Sequence, residues 1–432
     1  MERKIAQRLK QWKSRPDRKP LMLFGARQTG KTTSVLDFGK REYERVVHVD
    51  FLKQPQMKTA FQGSLEPEII VAAIEALGRC EIDPGSTLLF LDEVQECDAA
   101  ITALKYFCSD LPRLDVVAAG SLLGVHVARE GSFPVGYVDT LTMRPMDFEE
   151  FCWAIDERKA FDLVKLSHKA MTACPVHDRM MELYRSYLLV GGMPEAVLKY
   201  AESKSFDIVR GVQNDIATLY VADMAKYASA LDATKIVASW NSIPSQLAKE
   251  SGSTKFIWRN IASGAKSERY ATAVDWLVAS GVVNKCTQIT DGKAPLKSFE
   301  VESSFKLYLA DTGLLASAYD ARLDDFSDTG SKTARFRGGM VENYVMQQLV
   351  ASGFKPYYWG MQSTQEVEFV VRLDEGVVPV EVKSGLRVRS TSAVRFAEKY
   401  GCPYVVRVTA KNFGETESVK NIPLYAACLI GR

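Results

Sequence analysis

The chain has 432 residues, 47% of them apolar, and its 55 Lys plus Arg against 53 Asp plus Glu leave a net charge of +2. This size predicts two to four domains with real cores, and the charge balance excludes a protein-wide electrostatic footprint for nucleic acid. No apolar run approaches the ~20 residues of a membrane span and the charged start lacks a secretory core. The eight cysteines form no C-x-x-C pair, and His48, His126, His168 and His177 do not cluster, so the expectation is a cytoplasmic protein with no membrane partner and no zinc site, disulfide framework or Ser-His triad.

Residues 21–24 (LMLF) read as a buried strand, and 25–32 (GARQTGKT) match G-x-x-x-x-G-K-[ST] at every fixed position. The pattern has a mechanism. Gly25 and Gly30 let the backbone curl into a nest of N–H groups around a phosphate chain. Lys31 reaches the β- and γ-phosphates, and the Thr32 hydroxyl enters the Mg²⁺ shell. The expected nucleotide-binding segment is Gly25, Ala26, Arg27, Gln28, Thr29, Gly30, Lys31, Thr32 and Thr33, with the following helix aiming its dipole at the phosphates. The expected ligands are ATP or ADP with Mg²⁺.

A second strand is expected at 46–51 (VVHVDF) and a helix at 68–77. Residues 87–91 (TLLFL) are continuously apolar, as a strand buried on both faces requires, and end in Asp92-Glu93. Asp92 is the expected second metal residue after Thr32, and Glu93 stands where a hydrolase orients or deprotonates water. A strand at 115–119 (DVVAA) ends in Gly120-Ser121, which makes Ser121 the candidate sensor of the γ-phosphate. Lys31, Glu93 and Ser121 form the expected catalytic set. With a further strand at 135–146, strands alternate with helices, which predicts a parallel α/β sheet that binds nucleotide at its carboxyl edge.

These phrases, with AAGSLLGVHV and SFPVGYVDTLTMRPMDFEEF, resemble the AAA-superfamily ATPases of bacteria and archaea that carry a C-terminal domain of unknown function. YLLVGGMPEAV (187–197), FKLYLADTGLL (305–315), GGMVENYVMQQL (338–349) and EVEFVV (366–371) extend the resemblance over nearly the whole chain. It implies the same roles for Gly25, Gly30, Lys31, Thr32, Asp92, Glu93 and Ser121. One departure is Gly136-Tyr137, where many members have Gly-Arg. An arginine role there does not transfer, and Arg129 and Arg144 are the nearby candidates.

Residues 178–187 and 207–227 have helical spacing. The blocks at 243–248 and 256–283 suit a winged helix. A DNA-binding version would turn Lys266 and Arg269 to phosphate or bases, whereas the interleaved charges favour a packing or regulatory module. Further on, Glu342 lies in a helical stretch, Glu368 on EVEFVV, and Glu381 and Lys383 share one face of the next strand. Together they resemble the PD-(D/E)XK nuclease core, in which two carboxylates hold Mg²⁺ and the lysine acts on water. Glu368 stands where that pattern prefers Asp, and the extra methylene changes the reach to a strictly octahedral ion.

The expected architecture is α/β. An AAA-type P-loop ATPase domain (1–155) is followed by a helical connecting region (156–232), a winged-helix-like domain (233–325) and a small restriction-endonuclease-like, PD-(D/E)XK nuclease-like domain (326–432). The expected function is Mg²⁺-dependent ATP hydrolysis, coupled either to nucleic-acid processing or to recruitment of a protein by a switch whose nuclease-like domain is inert. DNA, a protein or a second copy of the chain are the candidate partners.

Overall fold

Continuous apolarity along 21–24, 87–91 and 115–119 becomes the centre of a parallel sheet. In the computed structural model, β1 (Leu21–Gly25), β2 (Arg45–Asp50), β3 (Thr87–Asp92), β4 (Asp115–Gly120) and β5 (Asp139–Met143) lie in the order β2-β3-β4-β1-β5 with every pair parallel. The structure describes residues 1–121, 133–226, 230–248, 254–326, 331–361, 365–384 and 391–432. His126 and Arg129 lie outside the described residues. β3 and β4 are buried at every position because both faces are covered. On one face Val47, Val49, Leu89 and Leu91 pack with Ile70 and Ile74 of the helix Pro67–Gly78 and with Ile101 and Leu104 of the helix Asp98–Asp110. On the other, Leu21, Leu88 and Phe90 pack against Val35 and Phe38 of the helix Lys31–Glu42 and Trp12 of the helix Ile5–Ser14.

The chain divides into two compact units: Glu2–Arg144 with Ala279–Gly281, and Pro145–Val278 with Val282–Arg432 and Met1. The second unit begins with helices, including Phe148–Ala154, which the Asp147 and Glu150 side chains close with a reciprocal capping box. His177–Val190 and Phe206–Lys226 fall where helical spacing placed them. The unit also contains one mixed sheet of β6 (Val283–Ile289), β7 (Glu300–Leu309), β8 (Tyr357–Met361), β9 (Gln365–Leu373), β10 (Gly376–Val382), β11 (Val405–Thr409), β12 (Gly414–Glu415) and β13 (Val419–Pro423), ordered β12-β13-β11-β10-β9-β8-β6-β7.

The expected winged-helix-like segment supplies the antiparallel pair β6–β7, but β6 also pairs in parallel with β8. Its strands therefore extend the sheet of the C-terminal segment, and the second unit runs through the expected boundaries at 232/233 and 325/326. Within this unit the stretches 187–197 and 305–315 meet. Asp311 accepts the Gly192 N–H at 2.6 Å and caps the helix Thr312–Ala318 by accepting the Leu314 N–H at 3.0 Å. A Cβ on Gly192 would lie 2.0 Å from the Met146 carbonyl oxygen, and one on Gly313 2.4 Å from that of Val190. Close backbone approach thus explains these glycines.

Candidate active site

β1 ends at Gly25 and the helix Lys31–Glu42 begins after Gly30, so the loop between them sits at the carboxyl edge of the sheet. A Cβ on Gly25 would lie 2.5 Å from the Met143 carbonyl oxygen of β5, a distance only glycine permits. Gly30 (φ +90°) and Gln28 (φ +62°) take the left-handed conformation that turns the loop. Buried Thr29 donates to the Ala26 carbonyl at 2.9 Å, and its own carbonyl accepts from Arg3 Nη1 at 2.9 Å. The Lys31 ammonium rests on the Gly25 and Ala26 carbonyls, each at 3.0 Å. Burial lowers its pKa to about 8, with Glu93 and Asp92 opposing the shift. Ala26 is buried and Thr33 is exposed on the first helical turn.

β3 carries the acidic pair to this edge. Thr32 Oγ1 donates to Asp92 Oδ2 at 2.8 Å, and the Glu93 N–H donates to Asp92 Oδ1 at 3.0 Å. Two oxygen donors in contact fit a hard cation such as Mg²⁺. Glu93 has φ +51°, a strained conformation for a residue with a side chain. Its carboxylate accepts from Gln95 Nε2 at 2.5 Å, while Gln95 Oε1 is buried with no partner among the described residues. Ser121 directly follows β4 at the same edge. Arg144 follows β5; burial disfavours its charge, and its carbonyl accepts from Arg3 Nη2 at 2.8 Å.

Sequence reading passed over His48 as an isolated histidine. The β2–β3 register sets His48 beside Phe90 and Asp50 beside Asp92. The imidazole stacks on Phe90 with centroids 4.8 Å apart, and its Nε2 lies 3.3 Å from Asp92 Oδ2. The available signal was the alternation of β2, in which Val47 and Val49 take one face and His48 and Asp50 the other.

The C-terminal residues also come together. Lys383 Nζ donates to Glu368 Oε1 at 2.5 Å and stands 3.9 Å from Glu381 Oε1. Glu342, on the helix Ser331–Ala351, interacts electrostatically with both Glu368 and Lys383. Burial raises the Glu368 pKa despite the lysine beside it. Burial disfavours the charge of Lys383, but Glu368, Glu381 and Glu342 together outweigh this and raise its pKa. Sequence reading missed the surrounding cations. Arg407 Nε donates to Glu381 Oε2 at 2.8 Å, and fully buried Lys306 donates to Glu366 at 2.5 Å and lies 3.6 Å from Glu342. Tyr308 and Thr254 hydroxyls each donate to Glu342 at 3.0 Å.

Residues 17–152 match a family described as an AAA domain. Residues 181–325 and 337–427 match two families described as domains of unknown function, DUF8612 and DUF4143. No curated protein matches. Among solved structures, the Walker-type ATPase PABY2304 of Pyrococcus abyssi is 13% identical, with 74% of this chain and 95% of that one covered and a TM-score of 0.45. The Aeropyrum pernix ORC1 protein, solved in complex with DNA, is 11% identical, with 73% and 90% covered and a TM-score of 0.28. A STAND protein with a tetratricopeptide repeat sensor, PH0952 from Pyrococcus horikoshii, is 12% identical, with 81% and 48% covered and a TM-score of 0.26. No helix among the described residues is long and apolar enough to cross a membrane. Residues 17–152 thus resemble an AAA domain and fold as a five-stranded parallel sheet with the P-loop at its carboxyl edge.

Proposed function

We propose that the protein binds ATP with Mg²⁺ at residues 25–33 and hydrolyses it to drive a conformational output. The observation that carries this reading is the 2.8 Å contact of Thr32 with Asp92 beside the half-buried Lys31 ammonium. Thr32 and Asp92 would hold Mg²⁺, which supplies charge neutralisation at the phosphates. Loop N–H groups and the helix start cradle the phosphate oxygens. Lys31 exchanges its two carbonyl acceptors for phosphate and regains a counter-charge. Glu93, steered by Gln95, receives the proton of the attacking water, and Ser121 senses the γ-phosphate. The test is ATP turnover by the purified chain with Mg²⁺, with and without single- and double-stranded DNA. Turnover is expected in the wild type and absent in Lys31→Ala; turnover persisting in that variant refutes the assignment.

For the output, the favoured reading is an ATP-driven switch that recruits a partner without cutting nucleic acid. Lys383 is engaged by Glu368, Arg407 by Glu381, and Lys306 by Glu366 and Glu342, so the cluster's own cations nearly balance its carboxylates. DNA-stimulated ATPase, or metal-dependent nicking lost in Lys383→Ala, would favour nucleic-acid processing instead.

A further inference from the structure

We infer that His48 and Asp50 extend the metal site of Asp92 with a nitrogen and an oxygen donor, and that this site prefers a first-row transition dication, Mn²⁺ among them, to Mg²⁺. The inference rests on the ATP-site reading, which it deepens. One ligand atom from each of His48, Asp50 and Asp92 lies within 4.8 Å of the other two. Around an octahedral ion with bonds of ~2.1 Å, neighbouring ligand atoms are ~3 Å apart and opposite ones ~4.2 Å. The 3.3 Å from His48 Nε2 to Asp92 Oδ2 and the 2.8 Å from Thr32 Oγ1 to the same oxygen match neighbouring positions.

The fold fixes these donors. β2 and β3 pair in parallel with Asp50 opposite Asp92, so both carboxylates leave the sheet at one edge. The stack on Phe90 limits rotation of the imidazole and keeps Nε2 toward Asp92. Asp50 is buried and turned by its own loop: Oδ1 accepts the Leu52 and Lys53 N–H groups at 3.0 Å each. Its Oδ2 lies 3.5 Å from the exposed Lys53 ammonium. Mg²⁺ takes oxygen ligands and gives up water reluctantly, whereas an imidazole nitrogen suits the first-row transition dications better than it suits Mg²⁺. An ATP site built only for Mg²⁺ has no need of His48 at this position.

The experiment titrates Mn²⁺ into nucleotide-free protein and follows binding and ¹⁴N hyperfine coupling by electron paramagnetic resonance. The wild type should bind Mn²⁺ with a nitrogen coupling. His48→Phe, which keeps the ring stack on Phe90, should lose the coupling and weaken Mn²⁺ by about tenfold or more, while Mg²⁺ competition changes less than about threefold. Asp50→Asn should weaken Mn²⁺ and keep the coupling, which guards against misreading a folding defect in one variant. Mn²⁺ bound without nitrogen coupling, or equally well by His48→Phe, overturns the inference. If coupling is present but no metal supports ATP turnover, the ATPase reading falls and this site stands.

Discussion

Thr32 on the P-loop helix and Asp92 at the tip of β3 share a hydrogen bond of 2.8 Å, although 60 residues separate them in the chain. The contact holds together the two oxygens proposed to bind Mg²⁺. Thr32→Val keeps the shape and removes the hydroxyl. It should raise the Mg²⁺ concentration for half-maximal ATP turnover by roughly tenfold or more, and Thr32→Ser should restore it. A metal titration of the steady-state rate checks this.

Asp311 gives a pH prediction. Burial raises its carboxyl from 3.8 to about 6 against the N–H groups of Gly192 and Leu314. Between these values the folded chain holds a proton that the unfolded chain has released. The stabilisation is fully present below about pH 4 and is lost as pH rises through about 6, a change of roughly 3 kcal/mol. Urea unfolding of the wild type and Asp311→Asn between pH 4 and 7 should show this component of the slope only in the wild type.

Gly192 should tolerate no side chain. A Cβ would meet the Met146 carbonyl oxygen at 2.0 Å, and backbone cannot yield cheaply there. Gly192→Ala should destabilise the chain by roughly 3 kcal/mol or more, seen as a lower urea midpoint. Gly414, with nothing within 4 Å of its added Cβ, is the control site.

The C-terminal cluster predicts a charge effect. Lys383→Met leaves the buried Glu368 carboxylate beside Glu381 and Glu342 without its ion pair. Breaking a buried pair costs roughly 3–5 kcal/mol, and the partial exposure of Lys383 reduces this to about 2 kcal/mol. The loss should shrink as pH falls, because burial makes Glu368 take up a proton more readily than an ordinary carboxyl. Equal destabilisation at pH 5 and pH 8 would contradict this account of the cluster.

The P-loop and the acidic pair were legible because each is contiguous and its chemistry is tied to one local conformation. The lone histidine at 48 gained meaning only from the β2–β3 register, which pairs Asp50 with Asp92. Lys306 and Arg407 were illegible for the same reason: Lys306 reaches Glu366 from β7 to β9, with β6 and β8 between them in the sheet order. Local spacing predicted the helices His177–Val190 and Phe206–Lys226 before β6, but not that β6 would join β8 across β7 and two helices. The convergence of Glu368, Glu381 and Lys383 was readable because strand alternation places E-x-K on one face.

The most direct test of the central claim is ATP binding and turnover in Glu93→Gln. The side chain keeps its shape and its Gln95 neighbour but cannot take a proton from water. ATP affinity with Mg²⁺ should stay within about threefold of the wild type, while single-turnover hydrolysis slows by roughly 10²-fold or more. Hydrolysis at the wild-type rate, or binding and hydrolysis falling together, would contradict the assignment of Glu93 and with it the catalytic reading of this site.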